Sequence, residues 1–285
     1  MESYSTLISV DELSKHLGDP NWAIVDCRFS LANPDAGRQA YLKGHIPGAV
    51  YAHLGEDLCG PIIPGETGRH PLPAIPDFIR TLSDWGIDSG VQVVAYDGAG
   101  GGMAAARLWW MCRWLGHEAV CVLNGGWQAW KDRGFPMKGG LETRPPREFL
   151  PDLQPTLLSR TEDVEAIRLD PDFLLVDCRA ADRFRGMNET IDPVAGHIPG
   201  AISAPYEENL DSEGKFLPPG ELRSRYKAML GDIPARKAVF YCGSGVTAAV
   251  SVLAVAYAGL GDSQLYSGSW SEWITNPENP VAREN

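Results

Sequence analysis

Short, uninterrupted apolar runs alternate along this chain with longer mixed stretches, and the alternation is played through twice. In the first half a polar-started helix is expected from Asp11 to Leu17, followed by an apolar strand from Ala23 to Asp26. In the second half a helix from Thr161 to Leu169 leads to a strand from Phe173 to Asp177. Ala238 to Tyr241 forms another apolar, β-prone run. It stops at Cys242, passes through the small-residue loop Gly243-Ser244-Gly245, and continues into an Ala-rich apolar stretch from Val246 to Gly259 that predicts a buried helix. Continuous apolar strands set between helices point to a parallel sheet covered on both faces. The expected class is α/β, and in such sheets chemistry gathers at the carboxyl ends of the strands.

The two halves also repeat at the level of motifs. Val25-Asp-Cys-Arg28 recurs as Val176-Asp-Cys-Arg179, and Gly44-His-Ile-Pro-Gly-Ala49 recurs as Gly196-His-Ile-Pro-Gly-Ala201. Gly126-Trp-Gln-Ala-Trp130 resembles Ser269-Trp-Ser-Glu-Trp273. Order is kept while loop lengths differ. A repeat this long means two tandem domains and not a solenoid. The proline- and glycine-rich stretch between Pro136 and Pro155 has a linker composition. The expected division is a domain over 1–140, a linker over 141–155 and a second domain over 156–285.

Composition narrows the function classes. The chain has 285 residues, 44% hydrophobic, which is ample for two cores, and a formal net charge of −12. That charge argues against nucleic acid and anionic membrane surfaces as partners. The first residues have no basic segment followed by a long apolar run, so no secretory signal is expected, and no stretch has the length of a membrane span. The six cysteines form no C-x-x-C pair and no zinc spacing with histidine. Free thiols and a cytoplasmic location are the expectation.

Among those cysteines Cys242 stands apart. A strand–loop–helix junction aims backbone N–H groups and a helix N-terminus at whatever occupies the loop, and consecutive N–H groups there can form an anion-binding nest. That setting favours a thiolate. Packing is the commoner use of a free cysteine, but packing does not call for glycines around the sulfur. The corresponding site in the first half is Asp97, also after a Tyr and before a Gly. A carboxylate cannot be the same nucleophile, so the first domain is expected to be catalytically inactive. Gly98 to Gly102 lacks the Gly-Lys-Ser/Thr of a phosphate-binding Walker loop. His45 and His197, Cys27 and Cys178, and Arg28 and Arg179 recur in both halves, including the half without the nucleophile. Structural roles are therefore expected for them.

The tandem Asp-Cys-Arg and Gly-His-Ile-Pro-Gly-Ala elements, with one Cys loop in the second half, resemble the rhodanese superfamily. More narrowly, Cys242-Gly-Ser-Gly-Val-Thr-Ala248 resembles the active loop of the 3-mercaptopyruvate sulfurtransferases. The resemblance implies two rhodanese-like α/β domains, each a parallel sheet with helices on both faces. It places the active site between them, with Cys242 carrying a persulfide. It implies ping-pong covalent catalysis without metal or organic cofactor. Cys242, Ser244 and His70 form the implied catalytic set, with an acid that aligns at Gly55; neighbouring Glu56 and Asp57 are the alternatives. Gly243, Gly245, Val246 and Thr247 line the sulfur, and Arg183 binds the donor's carboxylate. The partner arginine of that clamp aligns within Met187 to Ala195, where there is none, leaving Arg185, Arg179 or Arg69. Thiosulfate-preferring relatives carry basic residues just after the Cys, whereas Gly243 to Val246 are uncharged. The expected donor is 3-mercaptopyruvate, with thiosulfate as the alternative, and the acceptor a thiol, cyanide or a thioredoxin-like protein. A cysteine phosphatase would need an arginine where Ala248 stands. A rhodanese-like binding module without catalysis would not need the intact Cys loop.

Overall fold

The computed structural model describes residues 3–98 and 103–284. Residues 99–102 of the glycine-rich segment noted above lie outside the described residues.

The first half runs β1 (Leu7–Ile8), α1 (Val10–Leu13), β2 (Trp22–Asp26), α2 (Asp35–Lys43), β3 (Val50–Tyr51), α3 (Ile75–Asp84), β4 (Gln92–Tyr96), α4 (Ala104–Trp114), β5 (Val120–Leu123) and α5 (Gly126–Asp132). The second half repeats the series as β6 (Leu158–Ser159), α6 (Thr161–Ile167), β7 (Leu174–Asp177), α7 (Ala181–Phe184), β8 (Ile202–Ser203), α8 (Pro219–Leu230), β9 (Ala238–Tyr241), α9 (Ala248–Tyr257), β10 (Gln264–Tyr266) and α10 (Ser269–Trp273). Each half forms a five-stranded parallel sheet, in the order β1-β5-β4-β2-β3 and β6-β10-β9-β7-β8. Every residue of β2, β4, β5 and β9 is buried. Strands closed off on both faces cannot alternate with polar residues, which is why these runs are apolar apart from Asp26 at the end of β2 and Gln92 at the start of β4, both hydrogen-bonded. The helix expected from Asp11 to Leu17 is shorter, because α1 passes at Ser14 into a 3-10 turn that ends at His16.

The repeated motifs have matching local roles. Arg28 donates to both oxygens of Asp26 and, through Nη2, to the Gly44 carbonyl at 2.7 Å. Arg179 does the same with Asp177 and the Gly196 carbonyl at 2.6 Å. Each Asp-x-Arg element thus braces the start of the Gly-His-Ile-Pro-Gly turn that leads into β3 or β8. His45 stacks on Tyr41 and its Nδ1 bonds the Tyr41 carbonyl. His197 stacks on Phe184 and bonds the Phe184 carbonyl. Both imidazoles are part of the packing. Trp130 in the first half, and Trp270 and Trp273 in the second, are fully buried in the cores of their own sheets.

The chain separates into two compact units, and the division is not a single cut. One unit comprises Met1–Gly60, Pro73–Gln154 and Asp211–Phe216; the other comprises Pro61–Leu72, Pro155–Leu210 and Leu217–Asn285. The proline-rich stretch is strapped along the first unit: Arg144 donates to the carbonyls of Trp85, Trp22 and Pro20, and Asp152 N–H to the Leu115 carbonyl at 2.8 Å. The Pro61–Leu72 segment, which a linear division assigns to the first domain, belongs with the second. There Arg69 N–H donates to Ser271 Oγ at 3.0 Å, and Gly68 lies so close to Gly268 and Ser271 that a Cβ would crowd both. Among the described residues no helix is long and apolar enough to cross a membrane.

Candidate active site

β9 delivers Cys242 to the carboxyl edge of the second sheet, 2% exposed. Its backbone is held on both sides. The Cys242 N–H donates to Ser269 Oγ at 3.1 Å, and its carbonyl accepts from Trp270 N–H at 3.0 Å. The Gly243 carbonyl accepts from Ser271 N–H at 2.9 Å. The loop then turns at Gly245, whose φ of +71° and contact with the Ser267 carbonyl exclude a Cβ. Ser244 and Val246 are buried, and half-buried Thr247 caps α9 without a side-chain bond. The first N–H groups of a helix have no intrahelical acceptors and carry its positive end, so this loop opens onto an electropositive terminus.

The first unit shows what the same junction does with negative charge. The Asp97 carbonyl accepts from Trp127 N–H at 2.9 Å, as that of Cys242 does from Trp270. The Asp97 carboxylate accepts N–H bonds from Met103 at 3.2 Å and Ala105 at 3.1 Å, at the entry to α4. Here the anion is supplied by the chain itself.

Around Cys242 the second unit gathers side chains from two distant segments. His70 Nδ1 lies 2.7 Å from Ser244 Oγ. Arg69 and Arg183 stand against Gly243: a Cβ built there would lie 2.8 Å from Arg69 Nη2 and 3.7 Å from both terminal nitrogens of Arg183. The loop is uncharged in sequence, as expected, but the fold brings two guanidinium groups to it. Of the three candidates for the second clamp arginine, Arg69 is the one found beside Gly243. Arg179 is committed to Asp177 and Gly196, as described above. Glu56 and Asp57 are engaged within the first unit, Glu56 with Arg38 and Asp57 with the His53 N–H at 2.7 Å.

Two acidic residues in the stretch from Met187 to Ala195 went unnoticed in the sequence. Arg183 Nε and Nη2 donate to the two oxygens of Glu189, each at 3.0 Å, and Nη2 also reaches Asp192 Oδ2 at 3.0 Å. Arg69 Nη1 pairs with Asp192 Oδ1. Burial pushes the Asp192 carboxyl up, with Arg69 working against it. Burial also works to raise Glu189, but bonds from Arg183 and from the N–H groups of Asp192 and Ile191 hold it below the usual carboxylate range. Burial drives the thiols of Cys27, Cys59, Cys112, Cys121 and Cys178 upward. Among the described residues no cluster of His, Cys, Asp and Glu could hold a metal ion.

The rhodanese-like domain family matches this chain twice, over residues 9–133 and 160–276. The chain belongs to the rhodanese family. A Pseudomonas aeruginosa protein described as a "Probable 3-mercaptopyruvate sulfurtransferase" is 44% identical over 98% of this chain and 99% of its own length. A Mycobacterium tuberculosis protein described as a "Putative thiosulfate sulfurtransferase SseB" is 40% identical over 97% of this chain and 96% of its own. The solved structure of the 3-mercaptopyruvate sulfurtransferase from Leishmania major superposes with a TM-score of 0.83 at 34% identity, over 94% of this chain and 74% of that one. The Cys loop lies in the second of the two matched stretches.

Proposed function

We propose that this rhodanese is a sulfurtransferase that moves sulfane sulfur from 3-mercaptopyruvate to a thiophilic acceptor through a Cys242 persulfide. The pair of guanidinium groups against Gly243, next to the nucleophile, carries this reading. A planar fork of N–H donors suits a carboxylate, and 3-mercaptopyruvate has one carboxylate two carbons from its thiol-bearing carbon.

The chemistry balances without a cofactor. The Cys242 thiolate attacks the donor sulfur, an S–S bond forms, and the C–S bond breaks with its electron pair left on carbon as the enolate of pyruvate. The proton that leaves the donor thiol is the one that carbon needs. Ser244 and His70, sharing a proton across 2.7 Å, are suited to carry it. The loop N–H groups from Gly243 to Thr247 and the start of α9 stabilise the charge on the outer sulfur. An acceptor thiol, cyanide or the thiol of a thioredoxin-like protein then takes the outer sulfur and restores the thiolate. The first domain, with Asp97 in place of the nucleophile, takes no sulfur. Six free thiols suit a reducing cytoplasm.

Thiosulfate is the second reading, favoured by the description of the mycobacterial relative. Steady-state kinetics with both donors and one acceptor separate the two. We expect a higher kcat/KM for 3-mercaptopyruvate, and in Arg183→Ala a KM for it raised about ten- to a hundredfold, the worth of one charge-assisted bond. A wild-type preference for thiosulfate would overturn the donor assignment.

A further inference from the structure

The arginines beside Cys242 are not bare. Asp192 bridges them, one oxygen on Arg69 and the other on Arg183, and its side chain is 1% exposed. Glu189, its side chain 3% exposed, takes the remaining face of Arg183 and closes the turn by accepting the N–H groups of Ile191 and Asp192. Arg179 Nη1 lies 3.5 Å from Glu189 Oε2, but Arg179 is already balanced by Asp177. The two guanidiniums of Arg69 and Arg183 therefore face two carboxylates. Arg69 Nη2 and Arg183 Nη1 stand against Gly243, so the pair still presents donors beside the loop to an incoming anion. Buried ion networks are a poor route to stability, since desolvation consumes most of the attraction. This one is placed where an anionic donor must bind.

We propose that Asp192 is a specificity-determining positioning residue: an internal carboxylate that presets Arg69 and Arg183 and cancels part of their charge, so that the site takes a monoanionic donor and discriminates against a dianion. This rests on the donor reading above. With Glu189 and Asp192 in place the cluster is neutral. A single carboxylate can bond the remaining donors without accumulating charge, whereas the compact dianion of thiosulfate brings excess negative charge beside Asp192. The uncharged loop is thus only half of the selectivity; the other half is the acid that masks the arginines.

The test is Asp192→Asn in the full chain, an isosteric change that removes one negative charge. Two quantities are read: kcat/KM for thiosulfate relative to 3-mercaptopyruvate, and the rate of Cys242 alkylation by anionic iodoacetate relative to neutral iodoacetamide. Both ratios should rise about tenfold, the effect of roughly one unmasked charge. Asp192→Glu, which restores the charge, should return both ratios towards wild type even if its absolute rates fall. If Asp192→Asn does not fold, Glu189→Gln removes a charge from the same cluster and should move both ratios the same way. Equal losses with both donors and an unchanged alkylation ratio would overturn the proposal and leave Asp192 a structural brace. A wild type that takes no sulfur from 3-mercaptopyruvate, with the alkylation ratio still responding, would instead sink the donor reading and spare the masking.

Discussion

A thiol that must attack needs surroundings the other five cysteines lack. Each of those is driven away from ionisation by burial, whereas Cys242 ends a strand at the mouth of a loop with a helix terminus behind it. In the proposed reaction Ser244 and His70 are given a more particular task. Cleavage of a C–S bond leaves a carbanion equivalent that must be protonated, while cleavage of the S–S bond of thiosulfate releases sulfite, which needs no proton. Ser244→Ala and His70→Gln should therefore lower kcat/KM for 3-mercaptopyruvate by about 10²- to 10⁴-fold, the usual reach of general acid–base catalysis. With thiosulfate they should change it little. Parallel assays on both donors would show this, and equal losses would mean that the pair only shapes the loop.

At the scale of the element, the β9–α9 loop is built as one piece. Its first carbonyls are fixed by the N–H groups of Trp270 and Ser271, and its turn depends on Gly245 lying against Ser267. Gly245→Ala should cost at least about 1–2 kcal/mol from left-handed strain alone and displace the loop N–H groups from the sulfur. Denaturant melts and the rate of sulfur loading check it. An unchanged melt with unchanged loading would contradict the geometry. This loop was legible in the sequence because strand, cysteine, glycines and helix are contiguous, and the strand ends at Tyr241 as expected. The acids that pair with Arg69 and Arg183 were not. Arg69 and Asp192 lie 123 residues apart, and nothing in the local pattern of either segment points to the other. Arg183 was singled out by the family resemblance, while Glu189 and Asp192 stand in no motif that sets them apart.

Across the whole molecule the repeat was plain, because duplicated motifs survive differences in loop length, and so was the class of both sheets, because strands buried on both faces are written as uninterrupted apolar runs. The exchange of segments was not: a linear reading cuts at the proline-rich stretch, while Pro61–Leu72 leaves the first half to carry Arg69 and His70 to the second unit. At equivalent strand ends one unit has the Asp97 carboxylate, which accepts N–H bonds from Met103 and Ala105, and the other has the Cys242 thiol. A tandem protein of this kind should load sulfur once, and in one place. The most direct measurement is mass spectrometry of the full chain, digested under non-reducing conditions after exposure to 3-mercaptopyruvate without acceptor. The expected result is a gain of one sulfur atom on the peptide containing Cys242 alone, removed by cyanide or a small thiol and absent from Cys242→Ser. An unmodified Cys242, or sulfur carried by Cys27 or Cys178 instead, would contradict it.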